Sequence, residues 1–206
     1  GGPHPQAGYL ARVAAVAGGA APSRVLPGAR MVVGYGFPLS ALPSDRAAWG
    51  RLSRMISAGR LRVAKGNCDL GIEDLLDWGA GLVMLLHPPR RGQMAMADWQ
   101  ARAAALVARF GGQCHLLMAP RYDGQDAARF ARLARLAAGL GIDTVASALP
   151  ILHHGARRRL ADVLTAIRLG VRVDALGRRA LPHAEQRLRS EAEMLRLFRD
   201  HEAAVH

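Results

Sequence analysis

The side chains able to do chemistry stand at the ends of apolar runs. His87 follows Leu82 to Leu86, Ala119-Pro120-Arg121 follows Cys114 to Met118, and Gly34-Tyr35-Gly36 follows Ala29 to Val33. Ala148-Leu149-Pro150, with His153-His154 beyond, closes the run that begins at Thr144. A metal-dependent hydrolase places His, Asp and Glu at several such ends, where a bound cation lowers the pKa of its water. No carboxylate occupies any of the four ends here. Adjacent histidines on a regular element point apart, so His153 and His154 read as loop histidines with local hydrogen bonds rather than as a ligand pair. Asp69, Glu73, Asp74 and Asp77 gather at one short helix, where acidic residues near the N-terminus favour the dipole. Cys114 and His115 are strand neighbours and face opposite sides, which argues against a thiol–imidazole nucleophile. Gly34-Tyr35-Gly36 lacks the third glycine of a phosphate-binding loop.

The most distinctive cluster is Arg157-Arg158-Arg159 at the start of a helix, with Arg168 and Arg172 at its end. Cations at a helix start oppose the dipole, so two readings stand side by side: contact with a phosphate backbone, or a solvated loop edge. Arg157, Arg158, Arg159 and Arg168 are therefore candidate nucleic-acid contacts. No aromatic stripe accompanies them, which argues against a stacking platform for single strands. The chain as a whole carries 28 Lys+Arg against 16 Asp+Glu, a formal charge of +12. Lys65 is the sole lysine. Either a compositional bias toward arginine or attraction to a polyanion accounts for that balance.

Helices and strands must position these groups. Ala29 to Gly34 reads as a buried strand, and Ser44-Asp45 as the cap of a helix whose inward face carries Trp49, Leu52, Met55 and Ile56 and which Gly59 ends. Arg60 to Gly71 reads as a surface loop, Ile72 to Trp78 as an acidic helix, and Leu82 to Leu86 as a buried strand stopped by His87-Pro88-Pro89. The alternation continues with a helix over Asp98 to Phe110, a strand over Cys114 to Met118, and a helix over Asp126 to Leu140 with Arg129, Arg132 and Arg135 on its polar face. A strand over Thr144 to Ala148 and a helix over Arg157 to Leu169 complete it. Tyr9 to Ala17 has a short helical pattern. Strands separated by helices imply crossover connections and a parallel sheet. After Gly170 the character changes: Ser190 and Glu193 form a capping box opening a helix that carries Met194, Leu195, Leu197 and Phe198.

At 206 residues and 50% hydrophobic, the chain is long enough for one core plus a small appendage. No run reaches the roughly 18 uncharged apolar residues of a membrane span, and two cysteines cannot build a disulfide framework. A cytoplasmic location is the expectation.

A family resemblance rests on particular residues. Leu160 to Gly170, continuing through Asp174, Gly177-Arg178-Arg179 and Ala184 to Ser190 as far as Glu193-Met194, is similar to the error-prone bacterial DNA polymerase III alpha subunit, a C-family polymerase. It resembles the end of that family's N-terminal polymerase-and-histidinol-phosphatase (PHP) domain and the start of the adjoining polymerase region. Pro43 to Leu52, Ala64 to Cys68 and Asp126 to Arg129 resemble the family's middle segment. The resemblance implies a distorted β/α barrel over residues 1–170, with the family's opening His-rich strand falling before Gly1, and a helical start of the polymerase region over 171–206. It implies a nucleotidyltransferase that serves damage-tolerant (translesion) synthesis in DNA replication and repair. Magnesium would bind polymerase carboxylates outside this chain, and the partners would be DNA and other replication or repair subunits.

The chain departs from the family pattern at the metal positions of the PHP domain. Where the family reads Ala-Thr-Asn-Asp before Leu-Tyr-His, this chain reads Ala146-Ser147-Ala148-Leu149 and then Ile151-Leu152-His153. Leu149 thus stands for a metal-binding aspartate, and the other lost acidic positions fall near Ala119 and Gly36. His153 is the remnant. Small and apolar residues cannot hold a divalent cation, so the expectation is a PHP fold kept as a scaffold without a metal. A free-standing PHP-type phosphoesterase and an independent basic nucleic-acid-binding protein are the alternatives.

Overall fold

A computed structural model describes residues 26–89 and 94–205; the helical pattern over Tyr9 to Ala17 lies outside them. The fold is mixed α/β, and the chain divides into two compact units, Gly1–Met84 and Leu85–His206.

The first unit opens with a hairpin that the sequence pattern does not announce. Strand β1 (Ala29–Val33) pairs antiparallel with β2 (Phe37–Pro43), with Val33 opposite Phe37 and Ala29 opposite Ala41. Gly34-Tyr35-Gly36 is the turn between them, with both glycines at positive φ (54° and 93°), a region that glycine enters without steric penalty. Two expectations are corrected here. The connection after β1 is a tight turn rather than a crossover, so the strands are not all parallel. β1 is not buried throughout either, since Met31 and Val33 point inward while Arg30 and Val32 are exposed. Pro38 and Pro43 hide β2 from a sequence reading, because proline within a run demotes it as a strand.

Helix α1 (Arg46–Leu61) starts where Asp45 accepts a hydrogen bond from the Ala48 N–H at 2.6 Å. Ala48, Leu52 and Met55 are buried along one face, but Trp49 is 39% exposed and is not a core residue. Trp49 follows Ala48 and precedes Leu52 by three, which turns its indole toward the edge of the buried stripe. Gly59 does not end the helix. It lies inside α1 where a Cβ would come 2.7 Å from the Asp69 carbonyl oxygen, so the absence of a side chain lets the 69–70 segment approach. Helix α2 (Ile72–Trp78) comes next, then β3 (Leu82–Leu86), which runs across the division between the units. Within the first unit the strand order is β1-β2-β3.

In the second unit, α3 (Met96–Phe110) begins two residues ahead of the predicted start and buries Trp99, Ala103, Leu106 and Phe110. The Trp99 indole N–H donates to the His87 carbonyl at 2.9 Å. Strand β4 (Cys114–Met118) pairs parallel with β5 (Thr144–Ala146), joined through α4 (Asp126–Leu140). β5 is two residues shorter than predicted. Gly141, at φ 68°, closes α4, while Gly139 lies within it. A single 3-10 turn (Gly155–Arg157) leads into α5 (Arg158–Leu169), and the capping box of Ser190 and Glu193 opens α6 (Glu191–Leu197) as the sequence predicts. Phe198 is buried and stacks on Phe130 of α4 with ring centroids 4.9 Å apart. Leu176 and Ala204 are buried as well, so residues beyond Gly170 contribute to the core of this unit.

Candidate functional site

The loops after β4 and β5 stand where parallel α/β folds concentrate their chemistry, and arginines tie down the first of them. After β4 the chain reads Ala119-Pro120-Arg121-Tyr122-Asp123. The Asp126 carboxylate accepts from the N–H groups of Arg121 and Tyr122 at 2.9 and 2.8 Å. The Arg129 guanidinium bridges Asp126 and Asp123. Arg129 is buried, which corrects its placement on the polar face of α4. A charge can be withdrawn from water only when it is paired, and two carboxylates flanking one loop supply that pairing. Tyr122 sits at φ 55°, unusual for a residue with a Cβ.

Tyr122 then meets the C-terminal stretch. Arg189 donates to its hydroxyl at 2.8 Å and to the Glu185 carboxylate at 2.5 Å, with the guanidinium carbon 5.6 Å from the Tyr122 ring centroid. His183 meets the same ring edge-on at 4.9 Å. Arg187 forks onto Glu193 at 2.5 and 3.3 Å. That pairing, with the Ser190 N–H, holds the Glu193 carboxyl down at about 2. Burial pushes the Tyr122 phenol up, with Arg189 opposing. The Glu193 carboxylate is thus an anion committed to a guanidinium partner, unsuited to general acid–base work near neutral pH.

After β5, Ser147 Oγ accepts from the Leu149 N–H at 3.0 Å and holds Leu149 at φ 44°. The Ile151 and Leu152 N–H groups donate to the Gln186 carbonyl at 2.9 and 3.0 Å, and the Leu188 N–H donates to the Leu152 carbonyl at 3.0 Å. His154 Nδ1 accepts from the Ala156 N–H at 3.2 Å and caps the turn into α5, while His153 is exposed. Cys114 is buried, which pushes its thiol up to about 11 and leaves it without the thiolate that nucleophilic attack requires.

The arginines at the start of α5 behave differently. Arg157, Arg158 and Arg159 are all exposed, with no acidic residue in the first turn of the helix. Arg158 lies 3.9 Å from Asp162, whose carboxylate also accepts from the Leu181 N–H at 2.9 Å. Among the described residues Arg157, Arg159 and Arg168 have no ion-pair partner, in contrast to Arg62, Arg129, Arg187 and Arg189.

Sequence comparison gives these features a context. A protein of Ruegeria pomeroyi is 43% identical over 184 residues, one of Rhodopseudomonas palustris 43% over 178, and one of Bradyrhizobium sp. 40% over 189. Each carries the name error-prone DNA polymerase. This chain is similar to a segment of error-prone DNA polymerases. The alignments cover 85–88% of the chain but only 16% of each relative's length. No family model matches the chain.

The error-prone polymerase resemblance raises the question of the metal positions of a PHP domain, and the residues present do not fit a cation. Gly36 lies in the hairpin turn of the first unit, and Ala119 and Leu149 offer no side-chain donor. Among the described residues no group of three or more His, Cys, Asp or Glu side chains could hold a metal ion. The Tyr122–Arg189 contact escapes a reading of the sequence, which gives Glu193 only as a helix cap and Arg129 only as a solvent-facing residue. Tyr122 and Arg189 stand 67 residues apart; the available signal was Arg187 and Arg189 alternating just before the Ser190–Glu193 capping box.

Proposed function

We propose that this chain is the PHP-like portion of an error-prone DNA polymerase III alpha subunit, with residues 1–170 forming the PHP-like part and 171–206 the start of the adjoining polymerase region. Its role is mechanical. It braces the polymerase that carries out damage-tolerant, nucleotide-joining synthesis in replication and repair, in the cytoplasm and with other replication or repair subunits. Magnesium belongs to the parent polymerase's own carboxylates. The observation that carries this reading is 43% identity across 88% of the chain to one segment of an error-prone DNA polymerase. The arginine-paired loop after β4, with a loop after β5 held by backbone hydrogen bonds and the Ser147 hydroxyl, supports a scaffold over a hydrolytic centre. Among the described residues no helix is long and apolar enough to cross a membrane.

Arg157, Arg159 and Arg168, exposed and without ion-pair partners among the described residues, and the exposed Arg158, which lies 3.9 Å from Asp162, give the scaffold its contact with DNA, since exposed guanidinium groups take phosphates. Fluorescence anisotropy of labelled duplex DNA with the 206-residue chain across a KCl series tests this. Log affinity falls linearly with log salt, and replacing Arg157, Arg158 and Arg159 with alanine flattens the slope by about 0.9 for each phosphate contact removed. An unchanged slope contradicts the assignment.

A further inference from the structure

Helix α5 is amphipathic in the wrong sense for a surface helix. Its packed side is small and polar, with Ala166 buried and Asp162 and Thr165 half-buried. Its outward side is apolar: Leu160, Val163, Leu164 and Ile167 are 50, 40, 58 and 71% exposed. Their spacing, i, i+3, i+4 and i+7, is that of the stripe by which a helix docks. A contiguous exposed stripe of this kind marks an interaction surface rather than scattered surface hydrophobics.

Charge decides what covers it. Two i, i+4, i+8 rows build the face, Arg159–Val163–Ile167 and Leu160–Leu164–Arg168, so each row carries an arginine at the opposite end. Neither arginine has an ion-pair partner among the described residues. A second copy meets cations with cations, because antiparallel pairing sets Arg159 against Arg168 and parallel pairing sets like against like. Residues 1–25 contain no acidic residue and offer no complement either. A phosphate backbone satisfies the arginines but not four apolar side chains between them.

We propose that α5 docks an amphipathic protein helix with an apolar stripe and acidic residues at both ends of it. The proposal does not need the polymerase reading, but it shares Arg159 and Arg168 with the DNA contact, so the docked helix and DNA compete for those two arginines. The probe is a synthetic helical peptide with leucines at i, i+3, i+4 and i+7 and glutamates flanking them, titrated against the 206-residue chain by fluorescence anisotropy. Comparison peptides carry lysine flanks, or the same glutamates and leucines in scrambled order.

The glutamate peptide binds about tenfold or more tightly than either comparison peptide. Leu164→Glu and Ile167→Glu each weaken it by about tenfold or more. Arg159→Glu with Arg168→Glu inverts the preference toward the lysine peptide. Both apolar positions are exposed, so these variants keep the wild-type circular dichroism spectrum and melting curve. Leu164→Ser leaves the salt-dependent DNA affinity unchanged, which separates this face from the DNA reading. Equal binding of the scrambled peptide, indifference to Leu164→Glu, or a concentration-dependent dimer that Leu164→Glu dissolves overturns the proposal, and loss of DNA affinity in Leu164→Ser does so as well.

Discussion

Phe198→Ala measures how firmly the C-terminal stretch is built into the second unit. Phe198 is 1% exposed, and its ring stacks on Phe130, which His201 also meets edge-on at 6.1 Å. A phenyl side chain buries about 200 Å², which at about 25 cal/mol per Å² corresponds to roughly 5 kcal/mol; the methyl group that remains keeps a part of it. Large-to-small substitutions of this kind cost about 3–5 kcal/mol. Of that, about 0.5–1.5 kcal/mol belongs to the aromatic pair itself. Phe198→Leu keeps much of the bulk and loses the stack, so it costs about 1–1.5 kcal/mol. The assay is urea denaturation followed by Trp99 fluorescence, with Trp49 and Trp78 replaced by phenylalanine so that the signal comes from the second unit alone. A loss below about 1 kcal/mol for Phe198→Ala, at unchanged m-value, refutes the anchoring role.

On α1, Leu52→Ala costs about 2–5 kcal/mol in a denaturant melt because Leu52 is fully buried, whereas Trp49→Ala costs about 1–2 kcal/mol because Trp49 is partly exposed; equal losses contradict the assigned face. Glu193 titrates at about 2 in the folded chain, below the ordinary glutamate value of about 4.3. The unfolded state therefore binds more protons between those values. The contribution is fully present above about pH 4.3 and is lost as the pH falls through about 2. Glu193→Gln removes that pH dependence from denaturation midpoints measured across the window, and an unaltered profile contradicts the Arg187 pairing. Under the proposed function, His153→Ala leaves polymerase activity of a full-length protein carrying this segment unchanged in a primer-extension assay; a large loss assigns His153 a role that its exposed position does not provide.

Several elements are legible in the sequence because local signals bound them. α2, β3, β4 and α4 lie where periodicity places them, between glycines, prolines and polar turns. β2 is not legible, since its prolines argue against a strand and only pairing with β1 makes it one. Arg129 has helical spacing suited to solvent, yet Asp123 in the preceding loop and Asp126 one turn back on α4 draw it inward. The Tyr122–Arg189 contact and the Leu152–Arg187 bridge depend on tertiary placement of distant residues. The apolar side of α5 is visible as a pattern, but its sense, outward rather than inward, emerges only from burial.

The loop after β4 is held by guanidinium–carboxylate and tyrosine contacts and the loop after β5 by backbone hydrogen bonds and the Ser147 hydroxyl, and among the described residues neither presents a set of metal ligands. Metal analysis of the purified 206-residue chain, after equilibration with zinc or manganese and removal of the unbound ion, tests it most directly. Far less than one bound ion per chain, and no hydrolysis of a phosphate monoester, is the expected result. One tightly held ion per chain, with phosphoesterase activity that a chelator abolishes, contradicts it.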